Sequence, residues 1–368
     1  MFTRSAAIAL AFLAGGLQTA AAQTSERPSV THQKVKKADI DYANARPFAL
    51  PGNDAAPTDQ ADLILQGAQA TFDGPSGFEA GGKGSGERKP VKLPKSKWVN
   101  DSLSSQAFGT SNHPFTTATQ SDSSGDPYRR AGKLFFTDDG GSFICSASMI
   151  KPGIAVTAAH CVSDFGKKRF YTGFKYVPAY RDGEAPYGEW AAQDVFVMTS
   201  YFNGKAKCAT KGVVCENDIA VLVLAPQGNF AGNRTGWFGY GWGGYSYNKN
   251  NQVLITQLGY PGALNNGQQM MRTDSQGSVD KNESNNTIIG SLQTGGSSGG
   301  PWLVNFGFAP TLSDGVKSGK EANRLVVVGT TSWGYTNQAV KEQGASPFTS
   351  ENIKILVEDA CSAYPANC

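Results

Sequence analysis

Three short stretches of this chain carry side chains suited to attack on a carbonyl: Thr157-Ala158-Ala159-His160-Cys161, Asn217-Asp218-Ile219-Ala220-Val221-Leu222 and Gly295-Gly296-Ser297-Ser298-Gly299-Gly300-Pro301. Glycines on both sides of a serine leave backbone N–H groups uncovered and let the chain turn tightly, as a nucleophile aimed at a carbonyl requires. Alone, a Gly-Ser run also reads as a flexible loop. A serine hydroxyl is a weak nucleophile at neutral pH and needs a base within hydrogen-bond reach. The chain has three histidines, and His32 and His113 precede the region that holds these stretches, so His160 is the candidate base. Asp218, opening an apolar run, suits the task of holding one imidazole tautomer and stabilising the imidazolium.

In the order His, Asp, Ser, the three stretches resemble the signature segments of the chymotrypsin-like serine proteases. Thr294-Gly295-Gly296, Gly236-Trp237-Phe238-Gly239-Tyr240 and Gly259-Tyr260-Pro261-Gly262 are similar to the bacterial glutamyl endopeptidase branch, and the likeness covers residues 106–368. The resemblance implies an all-β fold of two six-stranded antiparallel β-barrels with a C-terminal helix. It implies a serine endopeptidase working through an acyl-enzyme on Ser298, with no cofactor or metal. It places the oxyanion hole at the backbone N–H groups of Gly296 and Ser298. Ser332 would support Asp218, Trp333 and Gly334 would wall the primary pocket, and Cys145–Cys161 would brace the histidine loop.

Departures from the family pattern carry information of their own. Where animal trypsins place an aspartate that captures a new amino terminus, this chain has Ser297, and it has no Ile-Val-Gly-Gly upstream. Activation must therefore use another contact. At the pocket base, where trypsins hold a carboxylate, stands Leu292, followed by Gln293. An apolar residue and a neutral amide offer nothing to a charged side chain, so the pocket is expected to prefer uncharged residues, apolar or amide. The glutamyl likeness argues instead for a carboxylate met by a free amino terminus or a basic residue. Ser346 is aligned with a pocket-wall glycine.

The elements that must position these groups are many short strands. From Lys133 onward, apolar runs such as 133–136, 154–156, 194–197, 219–224, 253–255, 287–289 and 325–328 alternate with turn residues, the texture of barrels. Ile353, Leu356 and Val357 are spaced as on one face of a helix. The 39% apolar content and 44 glycines suit a turn-rich globular chain. A net charge of +3 gives no reason to expect nucleic acid.

Residues 1–22 carry Arg4, an apolar stretch from Ala6 to Leu17 and then Ala20-Ala21-Ala22, the pattern of a secretory leader cleaved after Ala22 and too short for a membrane anchor. Export implies an oxidising compartment, extracellular or periplasmic, in which six cysteines form disulfides. Cys208 with Cys215 and Cys361 with Cys368 are local pairs, although six cysteines allow fifteen connectivities and zinc is the competing use. Residues 23–105 hold few large apolar side chains and read as a largely flexible segment: a linker, or a propeptide that keeps a protease inactive. Asp62 to Gln69 has the look of a short docking helix, and Lys83, Lys89, Lys92, Lys95 and Lys97 mark a cleavage zone. Arg129-Arg130 lies too close to the first barrel strand to be the processing site. The expected working form of residues 106–368 is a monomer acting on protein or peptide substrates, with a catalytically silent binding module of the same fold as the alternative.

Overall fold

The computed structural model describes residues 27–59, 62, 72, 75–99, 109–307 and 321–368. Six strands close the first barrel: β1 (Ala131–Asp138), β2 (Gly141–Lys151), β3 (Ile154–Thr157), β4 (Thr172–Pro178), β5 (Trp190–Met198) and β6 (Ala220–Leu224). Six more close the second: β7 (Gln252–Gly259), β8 (Met271–Asp280), β9 (Asn286–Gly290), β10 (Pro301–Val304), β11 (Val326–Tyr335) and β12 (Glu342–Ala345). Every neighbouring pair within each barrel is antiparallel. Each apolar run singled out in the sequence falls in one of these strands to within one residue at its start.

Side chains alternate across a strand, and here both faces are covered. In β6, Ala220, Leu222 and Leu224 join Leu134, Phe136, Met149 and Ala155 inside the first barrel. Val221 and Val223 face the other way, in one cluster with Ile353, Leu356 and Val357. Those three belong to helix α1 (Ile353–Ala363), whose first N–H is capped by the Asn352 side chain. The run from 219 to 224 is uninterruptedly apolar because α1 covers the face that water would otherwise touch. Trp302, Ile255, Val279, Ile289 and Val326 fill the second barrel.

The segment ahead of the barrels departs from its expected flexibility. Val30–Lys34 adds a strand beside β5, Arg46–Pro47 pairs with Phe143 and Ile144 of β2, and Gly52–Asn53 pairs with Gly334 and Tyr335 of β11. Gly77–Glu79 pairs with Gly239–Trp242, and Val91–Lys92 with Glu184–Ala185. A chain poor in apolar residues cannot build its own core, but it can satisfy backbone groups on strand edges that already exist. Of the expected helix over 62–69 only Asp62 is described, and the leader lies outside the described residues. Arg130 is buried, and its Nε donates to Asp126 Oδ1 at 2.8 Å, which keeps the dibasic pair inside the fold.

Lys133 is a cation fully buried on the outer face of the first barrel. Lys133 of β1 donates from Nζ to the Gly267 carbonyl at 2.8 Å and lies 4.3 Å from the centre of the Tyr180 ring. Burial lowers its pKa to about 7, against a smaller opposing pull from Asp182. Because the folded value lies below the unfolded one of 10.5, the unfolded chain binds the extra proton between these limits. The stability tied to this group therefore grows as pH rises through that window and is lost as pH falls toward 7. Thermal denaturation from about pH 7 to about pH 10 should give a smaller rise of Tm for Lys133→Met than for the parent. Equal slopes would mean that Lys133 is charged in the folded state.

Candidate active site

The first barrel delivers two of the three candidate side chains. His160 sits in a single turn after β3, and Asp218 stands just before β6, whose pairing with β3 brings the two together. Nδ1 of His160 lies 2.7 Å from Asp218 Oδ2, and the backbone N–H of His160 donates to Oδ1 at 2.8 Å. The second barrel completes the carboxylate's shell, since Ser332 of β11 donates its hydroxyl to Oδ2 at 2.6 Å. Asp218 is 2% exposed, so these bonds replace water around the charge. Cys145–Cys161 joins β2 to the histidine turn, and Cys208–Cys215 and Cys361–Cys368 are the other two disulfides. Cys145, His160 and Cys161 cluster closely enough to suggest a metal, but both sulfurs are spent in the disulfide, and no cysteine is left free for zinc.

Ser298 lies in the turn between β9 and β10, where the backbone leaves the regions open to most residues. Gly296 has φ +91°, and a Cβ there would stand 2.6 Å from the Tyr260 carbonyl. Gly299 has φ +77°, and its Cβ would meet Thr157 Oγ1 at 2.0 Å. Ser146 of β2 ties this turn to the first barrel: its N–H donates to the Ser298 carbonyl at 2.7 Å and its hydroxyl to the Gly296 carbonyl at 2.9 Å. Ser297 turns inward, its hydroxyl on the Thr294 carbonyl at 2.7 Å. His160 Nε2 and Ser298 Oγ are both buried, and neither has a hydrogen-bond partner among the described residues.

What covers them is the chain's own amino-terminal segment. The Phe48 ring stacks on the His160 imidazole, with centroids 6.3 Å apart and planes 14° apart, and lies edge-on to Phe136, Phe143 and Tyr171. Its N–H donates to the Ile144 carbonyl at 2.9 Å, and its carbonyl accepts from the Gly296 N–H at 3.0 Å. Further along, the Gly334 N–H donates to the Pro51 carbonyl at 3.0 Å, and buried Asn53 donates to Glu283 Oε1 at 3.1 Å. Phe48-Ala49-Leu50 was legible as an apolar triplet between prolines, yet nothing in its sequence says which surface it meets.

Beside this segment a cavity of about 470 Å³ is lined by Leu292, Gln293, Gly334, Lys341, Glu342 and Gln343, with Leu50 at its rim. Ser332 and Trp333 are fully buried away from it: Ser332 bonds Asp218, as the resemblance implied, rather than lining the pocket, and Trp333, expected to wall it, donates to Asn286 Oδ1 at 2.8 Å. Ser346 is no pocket wall either, because its hydroxyl donates to the Cys215 carbonyl at 2.6 Å. The wall beside Gly334 is Gln343, which donates to the Gln293 carbonyl at 2.9 Å and accepts from Gln257 at 2.6 Å. Charge is also present, contrary to the reading of a pocket without it. Lys341 lines the cavity, and the Glu342 carboxylate accepts from the Asn112 N–H at 2.6 Å and lies 3.2 Å from His113 Nδ1. These residues escaped sequence reasoning because only the register of β12 on β11 brings them here.

Residues 120–352 match the trypsin family, and the protein belongs to it. It is a serine endopeptidase, a hydrolase of protein or peptide substrates. Among solved structures it is similar to the protease Anisep from Arthrobacter nicotinovorans, at 23% identity and TM-score 0.50 over 68% of this chain and 99% of that one, a likeness of fold. It also matches a thermostable serine protease, AL20, from an extremophilic microorganism, at 26% identity and TM-score 0.49 over 64% of this chain and 97% of that one. A Glu endopeptidase in complex with MPD matches at 19% identity and TM-score 0.48 over 70% of this chain and 98% of that one. No curated protein matches the chain in sequence.

The contrast between two glycines tests the turn. At Gly307, φ is +92° and a Cβ would meet nothing within 4 Å among the described residues, so Gly307→Ala should cost only the ~1–2 kcal/mol of a left-handed conformation. Gly299→Ala adds the collision with Thr157 and should lose clearly more stability in denaturant titration, together with activity. Equal costs would mean that the turn relaxes around the methyl group.

Proposed function

We propose that the protein is made as a secreted precursor whose active form cuts peptide bonds through an acyl-enzyme on Ser298. The observation that carries this reading is the continuous set of hydrogen bonds from Ser332 through Asp218 to His160, beside a buried serine with no partner among the described residues. As Ser298 Oγ attacks the carbonyl carbon, Nε2 of His160 takes the hydroxyl proton, and Asp218 stabilises the imidazolium. The oxyanion is met by the N–H groups of Gly296 and Ser298. Collapse of the adduct breaks the C–N bond, with the imidazolium protonating the departing amine. Water then attacks the ester by the same route and frees Ser298.

The leader-like residues 1–22 and three disulfides support export, and residues 23–105 are the propeptide in this reading. Leu292, Gln293 and Gln343 favour an uncharged side chain, apolar or amide, before the cut bond. Lys341 on the same cavity favours a second reading, a carboxylate there. Digestion of a diverse peptide library by the processed enzyme separates the two, and a profile dominated by glutamate would overturn the first.

The nucleophile is tested by a pair of neighbours. Ser298→Ala should reduce turnover to the ~10³–10⁴ over water that an oxyanion hole and binding alone supply, while Ser297→Ala should leave measurable activity. Equal losses in two folded variants would sink the assignment.

A further inference from the structure

We propose that the catalytic cleft is a binding site for an extended apolar peptide of inverted polarity, and that residues 46–53 are its built-in ligand. On the catalytic reading above, on which this rests, the place of a substrate follows from the groups that act on it. Its scissile carbonyl oxygen faces the Gly296 N–H, and the departing nitrogen must reach His160 for its proton. The residues after the cut bond therefore leave on the His160 side, along Ile144 and the Cys145–Cys161 disulfide. Those before it lie on the side of Leu292, Gly295 and Gly334.

The bound segment runs the other way. Arg46 and Pro47 pair with Phe143 and Ile144, the Phe48 ring covers His160, and the Phe48 carbonyl occupies the oxyanion N–H of Gly296. The chain after that carbonyl passes over Gly295, where a Cβ would stand 3.5 Å from Ala49 Cα and 3.4 Å from the Leu50 nitrogen. It goes on to Leu50, in contact range of Gly334, and to the parallel ladder of Gly52 with Gly334 and Asn53 with Tyr335.

The reversal gives the segment resistance to the site it fills. Were Ser298 to add to the Phe48 carbonyl, the Ala49 nitrogen would lie on the far side from His160. The imidazolium could not protonate that nitrogen, so the C–N bond would hold while the new C–O bond broke and the proton returned to Ser298. The ligand thus blocks base, oxyanion site and pocket rim together without being consumed. Cutting the chain elsewhere does not by itself clear the cleft, because Phe48, Leu50 and Asn53 hold the segment by their own contacts. Activation requires both a cut and the departure of this peptide.

A fluorophosphonate probe of Ser298, applied to the full chain, tests this. The parent should label slowly, and Phe48→Gly about 30-fold faster, the scale of truncating an aromatic at the centre of an interface. Leu50→Ser, on the opposite side of Gly295, should also accelerate labelling and guards against a misfolded first variant. A synthetic peptide of residues 44–54 added to Phe48→Gly should restore slow labelling and be recovered intact by mass spectrometry. Parent labelling as fast as both variants overturns the inference and leaves the hydrolase reading standing. Recovery of the peptide cut between Phe48 and Ala49, or between Leu50 and Pro51, overturns the inverted polarity. Absence of labelling in parent and variants alike overturns the hydrolase reading, and the inference with it.

Discussion

The carboxylate of Asp218 is the point on which the two barrels depend on each other. A buried charge is costly unless hydrogen bonds replace the water it has lost. Asp218 receives those bonds from both sides: the His160 backbone and ring from the first barrel, and the Ser332 hydroxyl from the second. Any slippage between barrels would leave this charge short of a donor. The same demand that aligns the imidazole therefore aligns the domains. Ser346 extends the arrangement by accepting from the Asp218 N–H at 3.3 Å while donating to the Cys215 carbonyl, so the loop bearing the carboxylate is itself held from the second barrel.

The turn bearing Ser298 answers a second constraint. In the proposed mechanism, backbone N–H groups must point at a place where an oxygen will gain charge, and the chain can present them only by turning through conformations suited to glycine. Gly296 and Gly299 serve this, and both also pass too near their neighbours for a side chain. Ser146 then fastens the turn to the first barrel through its own N–H and hydroxyl. An N–H left free for catalysis is equally free for any carbonyl that arrives. The carbonyl of Phe48 arrives from within the molecule.

That occupancy follows from how a segment with little apolar content gains order. Residues 27–59 contribute single side chains to surfaces the barrels already have: His32 stacks on Phe196, Tyr42 lies edge-on to Phe135, and Phe48 fills the space over His160. Backbone pairing with β2, β5 and β11 supplies the rest. Such a segment has no core of its own to unfold. Its stability is that of an interface, which is why a few contacts can govern whether the cleft is open.

The sequence by itself marked the candidate catalytic residues and the class of fold. His160, Asp218 and Ser298 each carry local flanks that no tertiary contact is needed to read, and short apolar runs bounded by turn residues give the strands because a strand covered on both faces is apolar along its length. The paired cysteines within seven residues of each other were legible for the same reason of short range. Tertiary structure alone decided the rest. Gln343, Lys341 and Glu342 reach the cavity through the register of β12 on β11, while Trp333, next to the Ser332 that bonds Asp218, packs with Val214, Ile288 and Tyr335 outside the barrel interior. Residues 46–53 read as a flexible stretch because propensity and composition measure what a segment can do alone. Their place is set by unpaired backbone groups on strands that come nearly a hundred residues or more later, and only the closed barrels bring those groups to one cleft.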